Sequence, residues 1–122
     1  MKQEEHQEQC ALMQWWALES RYYGIDERLL YAIPNGGLRS RVTGARMKRE
    51  GVRAGVPDIF LAVPRGGHYG MYIEMKTETG RVQPSQETMM SLLQAQGYKC
   101  CVCRGWDEAR VAITQYLEGE AC

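Results

Sequence analysis

The chain has 122 residues, enough for one modest core and too few for two, so a single domain over residues 1–122 is expected. Its composition, 44% hydrophobic and 25% charged, excludes a disordered or fibrous protein, and no apolar run approaches the roughly 20 residues of a bilayer-spanning helix. The formal net charge of zero says little by itself about a nucleic-acid partner.

The start, Met1-Lys2-Gln3-Glu4-Glu5-His6, is polar and has no apolar signal core behind it, so a cytoplasmic location is expected. The five cysteines agree with a reducing compartment. Three crowd at Cys100, Cys101 and Cys103 inside a strand-like run, with no second Cys/His pair at zinc-ligand spacing. They read as small apolar residues of a reduced interior.

Residues 4–22 read as a helix, with Cys10, Leu12, Met13, Trp16 and Ala17 at near-helical spacing and Gly24 closing it. Leu29 to Ile33 reads as a buried strand, stopped by Pro34-Asn35-Gly36-Gly37. Ser40 to Glu50 reads as a second helix ended at Gly51. Asp58 to Val63 is a strand, and Tyr69 to Lys76 its hairpin partner across Pro64-Arg65-Gly66-Gly67. Pro84 to Gln96 is a helix with proline in its first turn and Gly97 beyond its end. Tyr98 to Cys103 is a strand, and Trp106 to Leu117 a last helix with Asp107 in its first turn. The order α-β-α-β-β-α-β-α predicts a mixed sheet flanked by helices, of the α/β class.

Charge is segregated along this order. Arg39, Arg41, Arg46, Lys48, Arg49 and Arg53 lie between Leu38 and Val56 against a single acid, Glu50. The segment is either a phosphate-tracking face or a solvated helix surface.

The chemistry concentrates on the hairpin. Asp58 follows a proline at the mouth of an apolar strand, where an acid is costly unless a cation or hydrogen-bond donors satisfy it. Glu74 and Lys76, two residues apart on one strand, share a face at about 7 Å along the chain. Pairing through the glycine turn sets Asp58 against Glu74. Two carboxylates and an ammonium then converge, a set able to hold a hard divalent cation and hydrolyse a phosphodiester. Lys76 would orient the nucleophile or offset developing charge. The competing reading is a surface Glu74–Lys76 ion pair on an edge strand, with Asp58 capping a turn. Neither His6 nor His68 has a serine or cysteine partner that would offer rival chemistry.

Pro57-Asp58…Glu74-Met75-Lys76 resembles the signature of the PD-(D/E)xK nuclease superfamily. More narrowly, Pro34-Asn35-Gly36-Gly37, Lys48-Arg49-Glu50-Gly51, Gly55-Val56-Pro57-Asp58, Glu74-Met75-Lys76-Thr77 and Gln86 resemble the VRR-NUC family, from about Glu5 to Leu117. The resemblance implies a restriction-endonuclease-like fold and a Mg²⁺ or Mn²⁺ requirement. It implies Asp58, Glu74 and the Met75 backbone carbonyl as metal ligands and Lys76 as the catalytic lysine. It also implies a further catalytic and metal-binding acid on the first helix, followed four residues later by glutamine. Glu5 with Gln9 fits that spacing, and Glu8 is the rival acid. Gln86 matches the family's glutamine, placed to hold the attacking water or a phosphate. Asn35, Gly36 and Gly37 look like a loop whose backbone approaches the scissile phosphate, and Arg39, Lys48 and Arg53 are candidate phosphate contacts. Small members resemble homodimeric, structure-selective DNA endonucleases, so a Holliday-junction resolvase is the leading expectation. A flap or general DNA nuclease of phage replication or recombination, and a non-catalytic DNA-binding module, are the alternatives.

Overall fold

The computed structural model describes residues 3–34 and 41–119. Its elements are α1 (Gln3–Tyr22), β1 (Leu30–Ala32), α2 (Arg41–Arg49), β2 (Ile59–Leu61), β3 (Met71–Lys76), α3 (Pro84–Ala95), β4 (Lys99–Arg104) and α4 (Trp106–Glu118). The strands form one four-stranded sheet in the order β1-β2-β3-β4, antiparallel across β1/β2 and β2/β3 and parallel across β3/β4. A parallel neighbour needs a crossover, and α3 supplies it. The fold is the mixed α/β arrangement expected.

One face of the sheet is the core. Ile59 and Leu61 of β2 and Met71, Ile73 and Met75 of β3 alternate onto it, as period-two strands require. Two helices cover this face. Leu12, Trp16 and Ser20 recur every four residues along α1, and Ala109, Ile113, Tyr116 and Leu117 form the buried stripe of α4. Each large apolar side chain buried here contributes on the order of 1.5–3 kcal/mol. Polar tips within the layer are satisfied: Trp16 Nε1 donates to the Glu27 carbonyl at 2.9 Å, and Tyr116 Oη to the Val63 carbonyl at 2.7 Å. The last helix ends on Gly119 in the left-handed region (φ 74°), whose N–H closes on the Gln115 and Tyr116 carbonyls.

Several elements differ from the sequence reading. Leu29 to Ile33 was expected to be a buried strand. It is instead a 3₁₀ turn over Glu27–Leu29 followed by the short edge strand β1, in which Leu30 is buried while Tyr31 and Ala32 are exposed. An edge strand has one neighbour, so its apolar residues are covered on fewer sides. The glycine turn does close a hairpin, with Arg65 and His68 exchanging backbone hydrogen bonds (2.8 and 3.1 Å), but as an isolated bridge beyond the ends of β2 and β3. The cysteines are not uniformly interior either: Cys103 is buried, Cys100 and Cys101 are half-buried and Cys10 is exposed. Cys10 stands on the outer face of α1, one helical turn from His6, and its Sγ lies 3.6 Å from His6 Nε2, so His6 does have a cysteine neighbour, contrary to the sequence reading.

Candidate active site

The site begins with the sheet register. Ile59 lies opposite Ile73, so Asp58, directly before β2, stands beside Glu74. The Asp58 carbonyl accepts from Ile33 N–H at 2.7 Å, and buried Pro57 precedes it, which together fix the strand mouth. Its side-chain Oδ2 accepts from the Met75 backbone N–H at 2.8 Å. Upstream, Gly55 (φ 84°) lies so close to the first turn of α3 that a Cβ would collide with the Ser85 carbonyl. Glycine is required there on both counts, conformation and space.

β3 is an interior strand whose Tyr72, Glu74 and Lys76 alternate with its core residues, and Glu74 meets α3. Lys76 Nζ lies 3.5 Å from Glu74 Oε2, and the two side chains are only 10% and 4% exposed. A surface pair on an edge strand is therefore not what the fold contains. Gln86 of α3 completes the wiring. Its Nε2 donates to Glu74 Oε2 at 3.0 Å, and its Oε1 accepts from Gln83 N–H at 2.8 Å in a capping box. The helix start thus orients the amide that holds the glutamate.

Electrostatics follow from burial and crowding. Burial pushes the Asp58 carboxyl above the usual aspartate range, against the opposing pull of the Met75 N–H. Burial and then the Asp58 charge push Glu74 up to about 7. The two carboxyls lie within hydrogen-bonding reach of each other, an arrangement that needs a shared proton or a cation between them. Glu74 Oε1 is buried and has no hydrogen-bond partner among the described residues. An orphaned carboxylate oxygen beside a second carboxylate is a donor set suited to a hard divalent cation. Among the described residues no three His, Cys, Asp or Glu side chains cluster as ligands, so two carboxylates and a backbone carbonyl, completed by water, are the most these strands offer.

The first helix contributes from the side. Glu5 is half-buried, and its charge acts on Asp58. Glu8 is occupied elsewhere: its Oε2 accepts from the Trp106 N–H at 3.3 Å and so caps α4, whose own N-cap, Gly105, has no side chain to do so. Gln9 is half-buried, with Oε1 lacking a hydrogen-bond partner among the described residues. A cleft of about 710 Å³ runs between this helix and the ends of β3 and β4, lined by Glu5, Glu8, Lys76, Thr77, Arg104 and Trp106 among others.

Asn35, Gly36, Gly37 and Arg39 lie outside the described residues. Lys48 and Arg53 are exposed, as the solvated and the phosphate-binding readings both require. Sequence reasoning passed over two features. A row of rings, Tyr31–Phe60–Tyr72 with Tyr98 beside it (centroids 4.4–5.9 Å apart), lies on the same sheet face as Glu74 and Lys76. Their alternation with core residues was a signal for it. Arg104, the parallel partner of Lys76, was the other; it sits one residue beyond the expected end of its strand.

The family profile of the VRR-NUC domain matches residues 1–107. A solved structure described as a VRR_NUC domain protein superposes with a TM-score of 0.83 at 26% identity, covering 98% of this chain and 93% of that one. A search of curated proteins gave no match.

Proposed function

Because this chain belongs to the VRR-NUC domain family, a nuclease-type DNA-processing domain, we propose that it is a divalent-metal-dependent, structure-selective DNA endonuclease. The orphaned Glu74 Oε1 beside Asp58 is the observation that carries the metal requirement. Asp58, Glu74 and the Met75 carbonyl would hold Mg²⁺ or Mn²⁺, with Glu5 adding negative charge from α1. The ion, when bound, polarises the scissile phosphate and acidifies a water. Lys76 is held beside Glu74, where its charge orients the nucleophile or offsets charge developing on the phosphate. Gln86 fixes Glu74, because both ends of its amide are engaged by protein groups.

Within the same proposal, the substrate is branched DNA, foremost a four-way junction, and the working form is a homodimer with two active sites acting in the cytoplasm. The chain is small, and its basic residues concentrate in one segment from Arg39 to Arg53, which favours reading DNA by backbone and shape over base edges.

The test is cleavage of junction, flap, nicked, single-stranded and linear duplex DNA with Mg²⁺, Mn²⁺ or EDTA, beside a gel-filtration mass. Metal-dependent cutting of the junction by a dimer is expected. A monomer that cuts every substrate alike removes the resolvase reading and leaves a general nuclease. Binding without cutting, unchanged in Lys76→Ala, would indicate a DNA-binding module.

A further inference from the structure

Lys76 is the last residue of β3, and its reach to Glu74 depends on what holds the chain immediately after it. The following turn folds back over the lysine. Gly80 N–H donates to Thr77 Oγ1 at 3.1 Å, and a Cβ on Gly80 would lie 3.0 Å from Thr77 Oγ1 and 3.6 Å from Lys76 Cδ. The turn thus passes beside the aliphatic stem of Lys76, close enough that a side chain added at Gly80 would touch it. It is gripped from the neighbouring strand. Arg104 Nη1 donates to the carbonyls of Thr77 (2.8 Å), Gly80 (2.6 Å) and, more weakly, Glu78 (3.4 Å). Arg104 in turn is set by the parallel register, which pairs it with Lys76, and by its own N–H donating to Glu108 Oε1 at 2.8 Å.

We infer that Arg104 is a positioning residue for Lys76, acting through the Thr77–Gly80 turn. A guanidinium serves this purpose better than an ammonium, because its planar fork is rigid and its charge strengthens each hydrogen bond to a carbonyl. Among the described residues the turn pairs with no strand, so these bonds take over where the ladder ends at Lys76. Without them the turn is free to lift, and the lysine stem loses the surface that keeps its ammonium at Glu74. The inference rests on Lys76 being catalytic, as proposed above.

The experiment compares wild type, Arg104→Ala and Arg104→Lys in steady-state cleavage, melting temperature, amide hydrogen exchange over residues 77–80, and the side-chain NMR resonance of Lys76 (assigned by its loss in Lys76→Ala). For Arg104→Ala, kcat is expected to fall about 10- to 100-fold, the cost of a misplaced catalytic group, with KM within about twofold. Exchange at Gly80 should accelerate and the Lys76 resonance should shift, while Arg104→Lys and added methylguanidinium should each recover part of kcat. Unchanged kcat, a rise confined to KM, or a loss that merely follows the unfolded fraction would overturn the inference; the KM result would mark Arg104 as a phosphate contact instead. Should even the wild type cleave no DNA, the nuclease reading fails. Exchange and the Lys76 resonance then still decide whether the clamp holds the lysine.

Discussion

Two short segments of this protein have the same pattern, an acid and a base separated by one residue, and opposite character. Asp26-Glu27-Arg28 lies on the surface, with Arg28 Nη2 2.8 Å from Asp26 Oδ2 and side chains 87% and 48% exposed for Arg28 and Asp26. Its guanidinium and backbone N–H hold the Asp26 carboxyl down at about 2. Glu74-Met75-Lys76 has a longer pair, 3.5 Å, almost sealed from solvent, and there the carboxyl is driven up to about 7. The closer pair is a local accident of a turn. The looser pair is built into an interior strand, beside a second carboxylate and under a helix. An adjacent cation lowers a carboxyl pKa in both places, but at Glu74 burial and the Asp58 charge outweigh Lys76, so the net shift is upward.

The largest contrast should come from removing each base. Lys76→Ala is expected to lower metal-dependent cleavage by about 10²–10³-fold, comparable to loss of one transition-state electrostatic group, with DNA binding retained in a gel-shift assay. Arg28→Ala should leave cleavage unchanged.

Next in size is the pH dependence of the metal-free protein. With its folded pKa raised above its ordinary value, Glu74 contributes stability that is present below about 4.5 and lost as pH rises through about 7. Denaturant melts in EDTA should therefore show stability falling from pH 5 to pH 8 by roughly 1–3 kcal/mol, a slope that Glu74→Gln flattens. A wild-type slope of the opposite sign would show that Glu74 is held ionised.

A smaller effect is expected from Gln86→Leu. It removes the donor to Glu74 Oε2 and the acceptor for Gln83 N–H, at a cost of about 1–2 kcal/mol in thermal or chemical melts. Cleavage should fall with it, since Glu74 loses its fixed orientation.

The smallest effect concerns the surface pair. The Asp26 contribution is present above its ordinary value and lost as pH falls toward about 2, so NMR titration should find its midpoint near 2 and see it move upward in Arg28→Ala. Melting temperature at neutral pH should fall only slightly with that move, because the pair is exposed and screened.

Much of the architecture was legible because it depends on local rules. Gly24 and Gly97 end helices, Pro84 begins one, and alternation along Met71–Lys76 separates core residues from Tyr72, Glu74 and Lys76. β1 was misjudged because an apolar run carries no mark of being an edge. The wiring of Gln86 was half legible: its helix position was plain, but the acceptor of its amide, Glu74, lies on a separate element, β3. Glu5 and Glu8 share one helix and one chemistry, so spacing alone could not separate the acid acting on Asp58 from the acid capping α4. Arg104 carried no local signal at all. Its role depends on carbonyls more than 20 residues earlier in the chain, met through the parallel pairing of β3 with β4.

The amino-acid sequence alone settles which residues share a strand face and where helices start and stop, since those follow from side-chain period and backbone geometry. It therefore determined that Glu74 and Lys76 would stand together. The hairpin likewise set Asp58 against Glu74, but their burial inside the sheet layer came from tertiary packing, because burial depends on which further elements become neighbours. That burial, and no property of the tripeptide, separates this acid-x-base segment from the one at Asp26.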